Sequence, residues 1–509
     1  MAAPSFRALS TLCSLRVKNT MSLKICLVSA EVAPLAKTGG LGDVCAALTR
    51  YLNEAGHDVR AFLPLYSSID RSKLDLRPVA ALSDLTLQIG PHRYRYSVST
   101  AQLPGSQASI HLIDCPVLYA RGGIYTFDPD EHLRFLALTR AALECCQHLR
   151  WDPQIVHCND WHVAFAPLFL RTLYGWDTLF SRTRSVLTIH NIGYQGVFSA
   201  AAVGDLALGD NRYLLHQDDL RYGIVNTLKH GIMYADAITT VSPTYANEIR
   251  TPEYGMGLDH ALRARGDAVL GILNGVDYNE WDPRTDRYLP KHYDARRLSV
   301  KAELKNQLLA TRGLANGARR PLAGVVTRLV GQKGIDLLLA ALRQLLASGE
   351  LACVALGSGE ERYERALTGL QEDFPQGLAF QRGYSDESAH WIEAASDMFL
   401  MPSLYEPCGL NQMYSLRYGT VPIVRKTGGL ADSVQRYDPA TGRGTGILFE
   451  PPTPEALTAA VHGALDLHAQ PPHWRRLIRN GMAQDFSWEH QGAQYVELYE
   501  RLIARASVA

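Results

Sequence analysis

The sequence lacks an excess of charge of either sign, and it lacks long hydrophobic runs. Its 509 residues contain 51 Lys and Arg against 51 Asp and Glu, so no overall field attracts nucleic acid or an anionic membrane. No apolar stretch approaches the roughly 18 residues that span a bilayer. We therefore expect neither a nucleic-acid partner nor a membrane partner, and any phosphate site must be built locally.

Paired cysteines and the common phosphate-loop spacings are also missing. The nine cysteines are odd in number and form no CxxC pair, and several lie inside apolar segments, which is typical of thiols in a reducing compartment. The chain has neither the GxxxxGK[ST] spacing of a P-loop nor a GxGxxG fingerprint. An NTPase and an NAD enzyme are therefore not indicated.

Acidic residues are absent from the first twenty positions. This segment carries Arg, Ser and Lys, the composition of a transit peptide, but Met21 directly precedes the first apolar strand. Residues 1–20 are therefore expected to be either a targeting segment or a disordered tail. The corresponding location is the cytoplasm, or a plastid if the segment is a transit peptide.

What the sequence does contain is two runs of alternating strands and helices. The first begins with the apolar run at 24–30, and the second restarts near Pro321 after a polar joining stretch. Short apolar runs that end in polar residues are typical of parallel strands that deliver side chains to a cleft. The fold class predicted from this pattern is α/β, with two doubly wound, Rossmann-like domains.

A seven-residue motif occurs once in each half. KTGGLGD at 37–43 recurs as KTGGLAD at 426–432, with six of seven positions identical. The echo indicates either a duplicated unit or two uses of one turn. In the first copy, Gly39 and Gly40 allow backbone amides beside a helix start to approach an anion, and Lys37 adds a positive charge. A purely structural Gly-Gly turn is the alternative.

Two further segments carry candidate chemistry. TRLVGQKG places Arg328 and Lys333 where they could clamp a diphosphate, with no acid close by in the sequence; a solvated loop is the alternative. EPCGL places Glu406 beside the amides of Gly409 and Leu410 at the next helix start, where an ordinary capping role is the alternative.

These motifs, with HCNDWH, TIHNIGYQG and LNGVD, occur in the order and spacing of bacterial glycogen synthases and plant starch synthases, which the chain resembles from Lys24 to about Leu502. The resemblance implies a GT-B fold, with two Rossmann-like domains facing across a deep cleft. The implied divisions are 22–273, 274–485 and a helix at 486–509 that returns to the first domain. The implied activity is retaining transfer of glucose from ADP-glucose to an α-1,4-glucan, without a cofactor or metal site.

The resemblance also assigns roles to individual residues. Lys37, Arg328 and Lys333 would hold the donor diphosphate, and Glu406 would bind the glucosyl group or stabilise its cationic centre. The catalytic set is then Glu406, Arg328, Lys333 and His190. The substrate-binding set is Lys37, Gly39, Gly40, Asp43, Tyr125, Asp160, Asn274, Tyr384, Cys408, Gly409 and Leu410.

Other classes of protein share some of these sequence features. Other retaining GT-B transferases carry a second acid eight residues after the first, where this chain has Tyr414. The DPD sequence at Asp128 and Asp130 is a metal motif of GT-A enzymes, although a surface loop is the better interpretation. An inactive carbohydrate-binding homologue is the alternative from a different class. Both front-face attack, which we favour, and double displacement are compatible with these residues, as are ADP-glucose and UDP-glucose as donors.

Overall fold

The computed structural model of the protein describes residues 22–126, 128–314 and 320–506. The predicted tail or targeting segment, residues 1–20, lies outside them. The strands are β1 (Lys24–Val28), β2 (Asp58–Pro64), β3 (Arg77–Pro78), β4 (Leu85–Ile89), β5 (His92–Gln102), β6 (Ser109–Asp114), β7 (Ile155–Asn159), β8 (Arg184–Ile189), β9 (Val197–Ser199), β10 (Ile224–Asn226), β11 (Ala237–Thr240), β12 (Val269–Gly271), β13 (Leu322–Val326), β14 (Ala352–Gly357), β15 (Leu378–Arg382), β16 (Met398–Met401), β17 (Val421–Arg425) and β18 (Ile447–Phe449).

The α-helices alternate with these strands. They are α1 (Gly40–Glu54), α2 (Pro116–Tyr119), α3 (Glu131–His148), α4 (Ala166–Arg171), α5 (Gln217–Arg221), α6 (Thr227–Tyr234), α7 (Pro243–Glu248), α8 (Asp259–Ala264), α9 (Ser299–Thr311), α10 (Ile335–Ala347), α11 (Glu361–Asp373), α12 (Asp386–Ala395), α13 (Asn411–Tyr418), α14 (Gly428–Ser433), α15 (Pro454–His468), α16 (Pro471–Met482) and α17 (Trp488–Ala506). None of the described helices is both long enough and apolar enough to cross a membrane.

The N-terminal sheet is a parallel sheet with an antiparallel extension. Its order is β12-β11-β8-β7-β1-β2-β6-β5-β3, and β4 pairs with β5. The strands from β12 to β6 are parallel, whereas β5 pairs antiparallel with β6, β3 and β4. The strand order reverses between β1 and β7, so the loops after these two strands open on the same crevice.

The C-terminal sheet has six parallel strands in the order β15-β14-β13-β16-β17-β18. This is the 3-2-1-4-5-6 order of a dinucleotide-binding fold, and the order reverses between β13 and β16. The central strands are buried along their whole length, as their apolar sequences require. On α10, Leu338, Leu342 and Leu345 are buried against the sheet, as their helical spacing predicts. The predicted α/β class with two Rossmann-like domains is confirmed.

Two chain crossings join the domains, and they contact each other. Val276 donates a backbone hydrogen bond of 2.7 Å to Phe486, and the Tyr278 hydroxyl accepts one of 2.9 Å from the Phe486 amide. Beyond the second crossing, α17 packs on α1 of the N-terminal domain, where Gly492 faces the Tyr51 ring. The Tyr499 hydroxyl lies 2.8 Å from His157 Nδ1 in the N-terminal sheet.

The two copies of the seven-residue motif occupy different places in their sheets. The first lies between β1 and α1, at the reversal of strand order, whereas the second lies between β17 and α14. In a duplicated unit the two copies would follow equivalent strands of the two sheets. They follow β1 and β17, which are not equivalent, so the structure supports two uses of one turn.

Candidate active site

A cleft of about 2040 Å³ separates the carboxyl ends of the two sheets, and both domains line it. All fifteen residues proposed from the sequence lie along this cleft: Lys37, Gly39, Gly40, Asp43, Tyr125, Asp160, His190, Asn274, Arg328, Lys333, Tyr384, Glu406, Cys408, Gly409 and Leu410. Most of them follow β1, β7, β13 or β16, the strands at the two reversals of strand order, whereas Tyr125, His190, Asn274 and Tyr384 come from segments elsewhere in the two domains. Two chain halves that are distant in sequence therefore supply one site.

The first Thr-Gly-Gly turn is organised by a carboxylate that the sequence analysis missed. Glu31 accepts hydrogen bonds from the Thr38 amide (2.6 Å), the Thr38 hydroxyl (2.7 Å) and the Gly39 amide (3.2 Å). The Tyr125 hydroxyl also donates to Glu31, at 2.5 Å. The Gly39 amide, expected to face a phosphate, is therefore engaged within the protein. Glu31 follows β1 by three residues, and only the path of the turn reveals its role.

Lys37 is also paired, because its Nζ lies 2.8 Å from Asp43. Burial alone would lower the pKa of Lys37. Asp43 and other nearby acids together raise it by more, so the net shift of the Lys37 pKa is upward. Lys37 thus remains charged at the edge of the cleft. Asp43 acts on the lysine, which gives this predicted binding residue an electrostatic role.

Lys333 and Glu406 form an ion pair inside the cleft. Lys333 Nζ lies 2.6 Å from Glu406 Oε2, which also accepts a 2.9 Å hydrogen bond from Ser403. The TRLVGQKG segment has no acid close by in the sequence, but folding brings Glu406 to Lys333 across 73 residues. Within the described residues, no carboxylate oxygen lies within 4.0 Å of the Arg328 guanidinium.

Close backbone contacts fix the two loops that carry this pair. Gly334 has a φ of 66°, and a Cβ there would lie 2.0 Å from the Pro402 carbonyl oxygen. Only glycine allows this approach, which holds the Lys333 loop against the segment leading to Glu406. Gly409, with a φ of 72°, lies in the loop that leads into α13. At the start of this helix, the Asn411 side chain donates a 2.6 Å hydrogen bond to the Val326 carbonyl.

The N-terminal wall of the cleft is built around Asp160 and His190. Asp160 has a φ of 59°, a strained conformation for a residue other than glycine, and its carboxylate accepts a 2.7 Å bond from the His190 amide. Burial raises the pKa of Asp160 to about 7, although backbone donors oppose the shift. Burial lowers the pKa of His190 to about 3, so the ring is neutral and serves as a hydrogen-bonding group.

His162 is a second residue that the sequence analysis missed. Its ring stacks on Tyr125 with centroids 5.1 Å apart. His162 is buried at the wall of the cleft, and within the described residues its ring nitrogens have at most the Asn159 backbone as a partner, so at least one of them is unsatisfied. An unsatisfied buried polar group at a cleft wall is suited to a hydroxyl-rich ligand. Its position two residues after Asp160 was the available signal.

The remaining predicted residues lie near the joint between domains. Asn274 is buried, and its Oδ1 has no partner among the described residues. Burial raises the pKa of the neighbouring Cys408 thiol to about 12, so Cys408 is a packed thiol that is not suited to be a nucleophile. Tyr384 is 60% exposed at the cleft rim. Tyr414, at the position of the missing second acid, stacks parallel to Trp281 with centroids 3.9 Å apart.

Asp128 and Asp130 form a surface ion-pair cluster. Arg121 lies 3.3 Å from Asp128 and 2.6 Å from Asp130. Within the described part of the chain, no group of three or more His, Cys, Asp and Glu side chains could hold a metal ion. Both acids of the DPD sequence are thus engaged by Arg121, and Asp128 also lines the edge of the cleft.

Comparison with known proteins matches both halves of the chain. Residues 24–264 match the family "Starch synthase catalytic domain", and residues 312–483 match "Glycosyl transferases group 1". The chain is 45% identical to the glycogen synthase of Thioalkalivibrio sulfidiphilus over 95% of this chain and all of that protein. It is 41% identical to the glycogen synthase of Thermotoga maritima over 95% of this chain and 99% of that protein.

Solved structures give the same result. The catalytic domain of starch synthase IV from Arabidopsis thaliana, bound to ADP and acarbose, superimposes with a TM-score of 0.87 at 36% identity, covering 95% of this chain and all of that one. A sucrose-phosphate synthase from Thermosynechococcus elongatus, at 19% identity and a TM-score of 0.60, shares the fold. The resemblance noted in the sequence is confirmed, and the chain belongs to the glycogen and starch synthase family of glucosyltransferases, which have the GT-B fold.

Proposed function

We propose that this glucosyltransferase extends the non-reducing end of an α-1,4-glucan with glucose from ADP-glucose, with retention of configuration. The observation that carries the proposal is the juxtaposition of Arg328, the Lys333–Glu406 pair and the start of α13 at one end of the cleft. The donor preference is supported by a starch synthase relative whose structure holds ADP and acarbose. The bacterial relatives and the eight buried free cysteines of the described chain support a cytoplasmic location.

The donor diphosphate would lie against Arg328, Lys333 and the amides of Gly409 and Leu410. Departure of a nucleoside diphosphate leaves negative charge on its terminal phosphate, and fixed cations and a helix start stabilise such charge without reorganising. Lys37 would approach from the opposite wall. The adenosine would lie at the exposed ring of Tyr384.

The glucosyl group would lie between Glu406 and the wall formed by Asp160 and His190. Bond cleavage gives the anomeric carbon positive charge, and the Glu406 carboxylate would stabilise that charge. Glu406 Oε2 is already engaged by Lys333 and Ser403, so the charge reaches the sugar mainly through Oε1. We favour front-face attack, in which the departing phosphate accepts the proton of the glucan hydroxyl and the new glycosidic bond forms on the same face.

Glu406→Gln tests this function most directly, because it keeps the shape of the side chain and removes its charge. We expect the turnover of ADP-glucose on glycogen, measured as ADP release, to fall by about 10²- to 10³-fold. Glu303→Gln is the matched control, since Glu303 makes an exposed ion pair with Lys291. Wild-type turnover in Glu406→Gln would show that Glu406 is a structural cap.

The same assay separates the remaining alternatives. ADP release that depends on glycogen and exceeds UDP release from UDP-glucose supports the proposed donor. The reverse preference would contradict it. Absence of nucleotide release from either donor in the folded protein would instead favour an inactive carbohydrate-binding homologue.

A further inference from the structure

The second Thr-Gly-Gly turn, residues 426–432, joins the two domains, and we call it the bridging turn. Glu248, at the end of α7 in the N-terminal domain, accepts 2.9 Å hydrogen bonds from the Thr427 hydroxyl and the Gly428 amide. In return, Asp432 accepts bonds from the Thr244 amide (2.9 Å) and the Thr244 hydroxyl (2.6 Å). Each domain therefore supplies the carboxylate that caps a helix of the other domain.

The opposite side of the bridging turn supports the loop that carries Glu406. The Gly429 amide donates a 3.1 Å bond to the Glu406 carbonyl. A Cβ on Gly428 would lie 1.9 Å from that carbonyl oxygen, and a Cβ on Gly429 would lie 2.2 Å from the Cys408 carbonyl oxygen. The turn is therefore in direct backbone contact with the Glu406 loop, which cannot move without moving the turn.

Arg425, just before the bridging turn, adds a second connection. Its Nε donates a 2.9 Å bond to the Ser403 carbonyl, and its guanidinium also contacts the Leu404 carbonyl. The same guanidinium lies 3.4 Å from the Tyr254 hydroxyl of the N-terminal domain. Both ends of the Glu406 loop are thus tied, through β17 and the turn, to the N-terminal domain.

Only the second copy of the seven-residue motif is held by a carboxylate from the other domain, as comparison with the first copy shows. In the first turn the carboxylate that binds the Thr hydroxyl and Gly amide is Glu31, seven residues away in the same domain. In the bridging turn the equivalent acceptor is Glu248, 179 residues from Thr427. Glu248 Oε2 is also buried without a partner in the described residues, a cost to stability that a purely structural cap at the surface avoids.

We propose that Glu248 is a positioning residue: through the bridging turn it holds the Glu406 loop in register with the N-terminal wall of the cleft. The proposal rests on the role proposed for Glu406 above. Removing the Glu248 carboxylate frees the Thr427 hydroxyl and the Gly428 amide and loosens the turn. Glu406 then faces the bound sugar for a smaller fraction of the time, although every group that contacts substrate is still present.

The test is a kinetic comparison of Glu248→Ala and Glu248→Gln, with Glu303→Ala as the surface control. We expect Glu248→Ala to lower kcat by about 10- to 100-fold, while the KM for glycogen changes by less than about twofold. Glu248→Gln keeps an oxygen that accepts from Thr427 and Gly428, so it should recover to within about threefold of wild type. Glu303→Ala should leave kcat unchanged.

Two results would overturn the proposal: wild-type kcat in Glu248→Ala, or a loss that Glu248→Gln does not rescue. If Glu248→Ala does not fold, Thr427→Val replaces it, because valine keeps the shape and removes one of the two donors. A lowered kcat with unchanged glycogen KM then supports the proposal, and wild-type kcat contradicts it. Glu406→Gln is assayed in parallel. An active Glu406→Gln contradicts the proposed function itself, whereas an inactive Glu406→Gln beside a fully active Glu248→Ala contradicts only the positioning role.

Discussion

At the scale of single residues, the two cations of the TRLVGQKG loop have different electrostatic settings. Lys333 is mostly buried and shares its charge with Glu406, whereas no carboxylate of the described chain neutralises Arg328. A diphosphate arriving in the cleft therefore meets one free cation and one cation that is already paired. Lys333 must serve two anions, the resident carboxylate and the departing phosphate.

Lys333→Ala should consequently impair turnover more than binding. The substitution removes a contact to the growing phosphate charge and leaves the buried Glu406 carboxylate without its cationic partner. We expect kcat to fall by about two to three decades, with a much smaller change in the KM for glycogen. Initial rates of ADP release provide the measurement.

Lys291→Ala is the control for Lys333→Ala, because Lys291 forms an exposed ion pair and lies outside the cleft. Its kcat should match wild type. An unchanged kcat in Lys333→Ala would mean that Arg328 and the α13 start meet the phosphate charge without Lys333.

The sequence alone named many of the cleft residues, but it missed Glu31 and His162 and gave none of the pairings. The motifs named every residue proposed for the site, since each motif follows a strand whose carboxyl end opens on the cleft. The Lys333–Glu406 pair joins residues 73 positions apart, and the Glu31 bonds depend on how the turn folds back. Such contacts are set by tertiary geometry, which spacing along the chain does not encode.

At the scale of elements, α17 acts as a strap that ties the end of the chain to the N-terminal domain. Tyr495 and Tyr499 on this helix are fully buried, and Gly492 lies against Tyr51 of α1. A Cβ on Gly492 would lie 2.3 Å from the Tyr51 ring, so the two helices approach each other at a position that only glycine fits. The docking of α17 thus depends on the absence of a side chain at 492.

Gly492→Ala should destabilise the protein, although alanine is the better helix former. Overpacking costs about 1–3 kcal/mol, and because the added Cβ would lie only 2.3 Å from the Tyr51 ring we expect a cost in the upper part of that range, above the roughly 1 kcal/mol gained from helix propensity. Gly463→Ala in α15 is the matched control, because nothing lies within 4 Å of its Cβ, and we expect it to be neutral or stabilising. Thermal unfolding by circular dichroism should give a lower midpoint for Gly492→Ala alone; equal midpoints in both variants would show that α17 is not held at this contact.

At this scale the sequence predicts several of the parallel strands and several of the helices, but not the antiparallel extension. The α/β alternation predicts β1, β2, β7 and further parallel strands after them, because each is a short apolar run. Strands β4 and β5 instead alternate exposed and buried residues, since one face of the extension meets solvent. Such alternating strands contain no continuous apolar run, so continuous apolar runs do not predict them.

At the scale of the whole molecule, the two crossings form one joint. Val276 and Ser487 pair as a parallel bridge, and Gly275 lies against Trp488, so both passages between domains bend at the same place. The divisions predicted at 273/274 and 485/486 lie beside this joint and remain predictions. The bridging turn lies on the same side, since the loop before α7 lies directly against Gly271 at the end of β12.

We expect bound ADP to close the cleft between the two domains. Lys37 belongs to the N-terminal wall and Arg328, Lys333 and Glu406 to the C-terminal wall, so one ADP molecule that engages both sets stabilises the narrower cleft. The radius of gyration from small-angle X-ray scattering should therefore fall on addition of saturating ADP, toward the roughly 23 Å expected of a compact chain of 509 residues. AMP is the matched ligand control, because it lacks the second phosphate that Arg328 and Lys333 would hold, and it should leave the radius nearer the free value. The joint residues should move little, since both crossings bend there. Equal radii with ADP, with AMP and without ligand, in a preparation that releases ADP from ADP-glucose, would contradict ligand-driven closure and would mean that the two walls already stand at their catalytic distance.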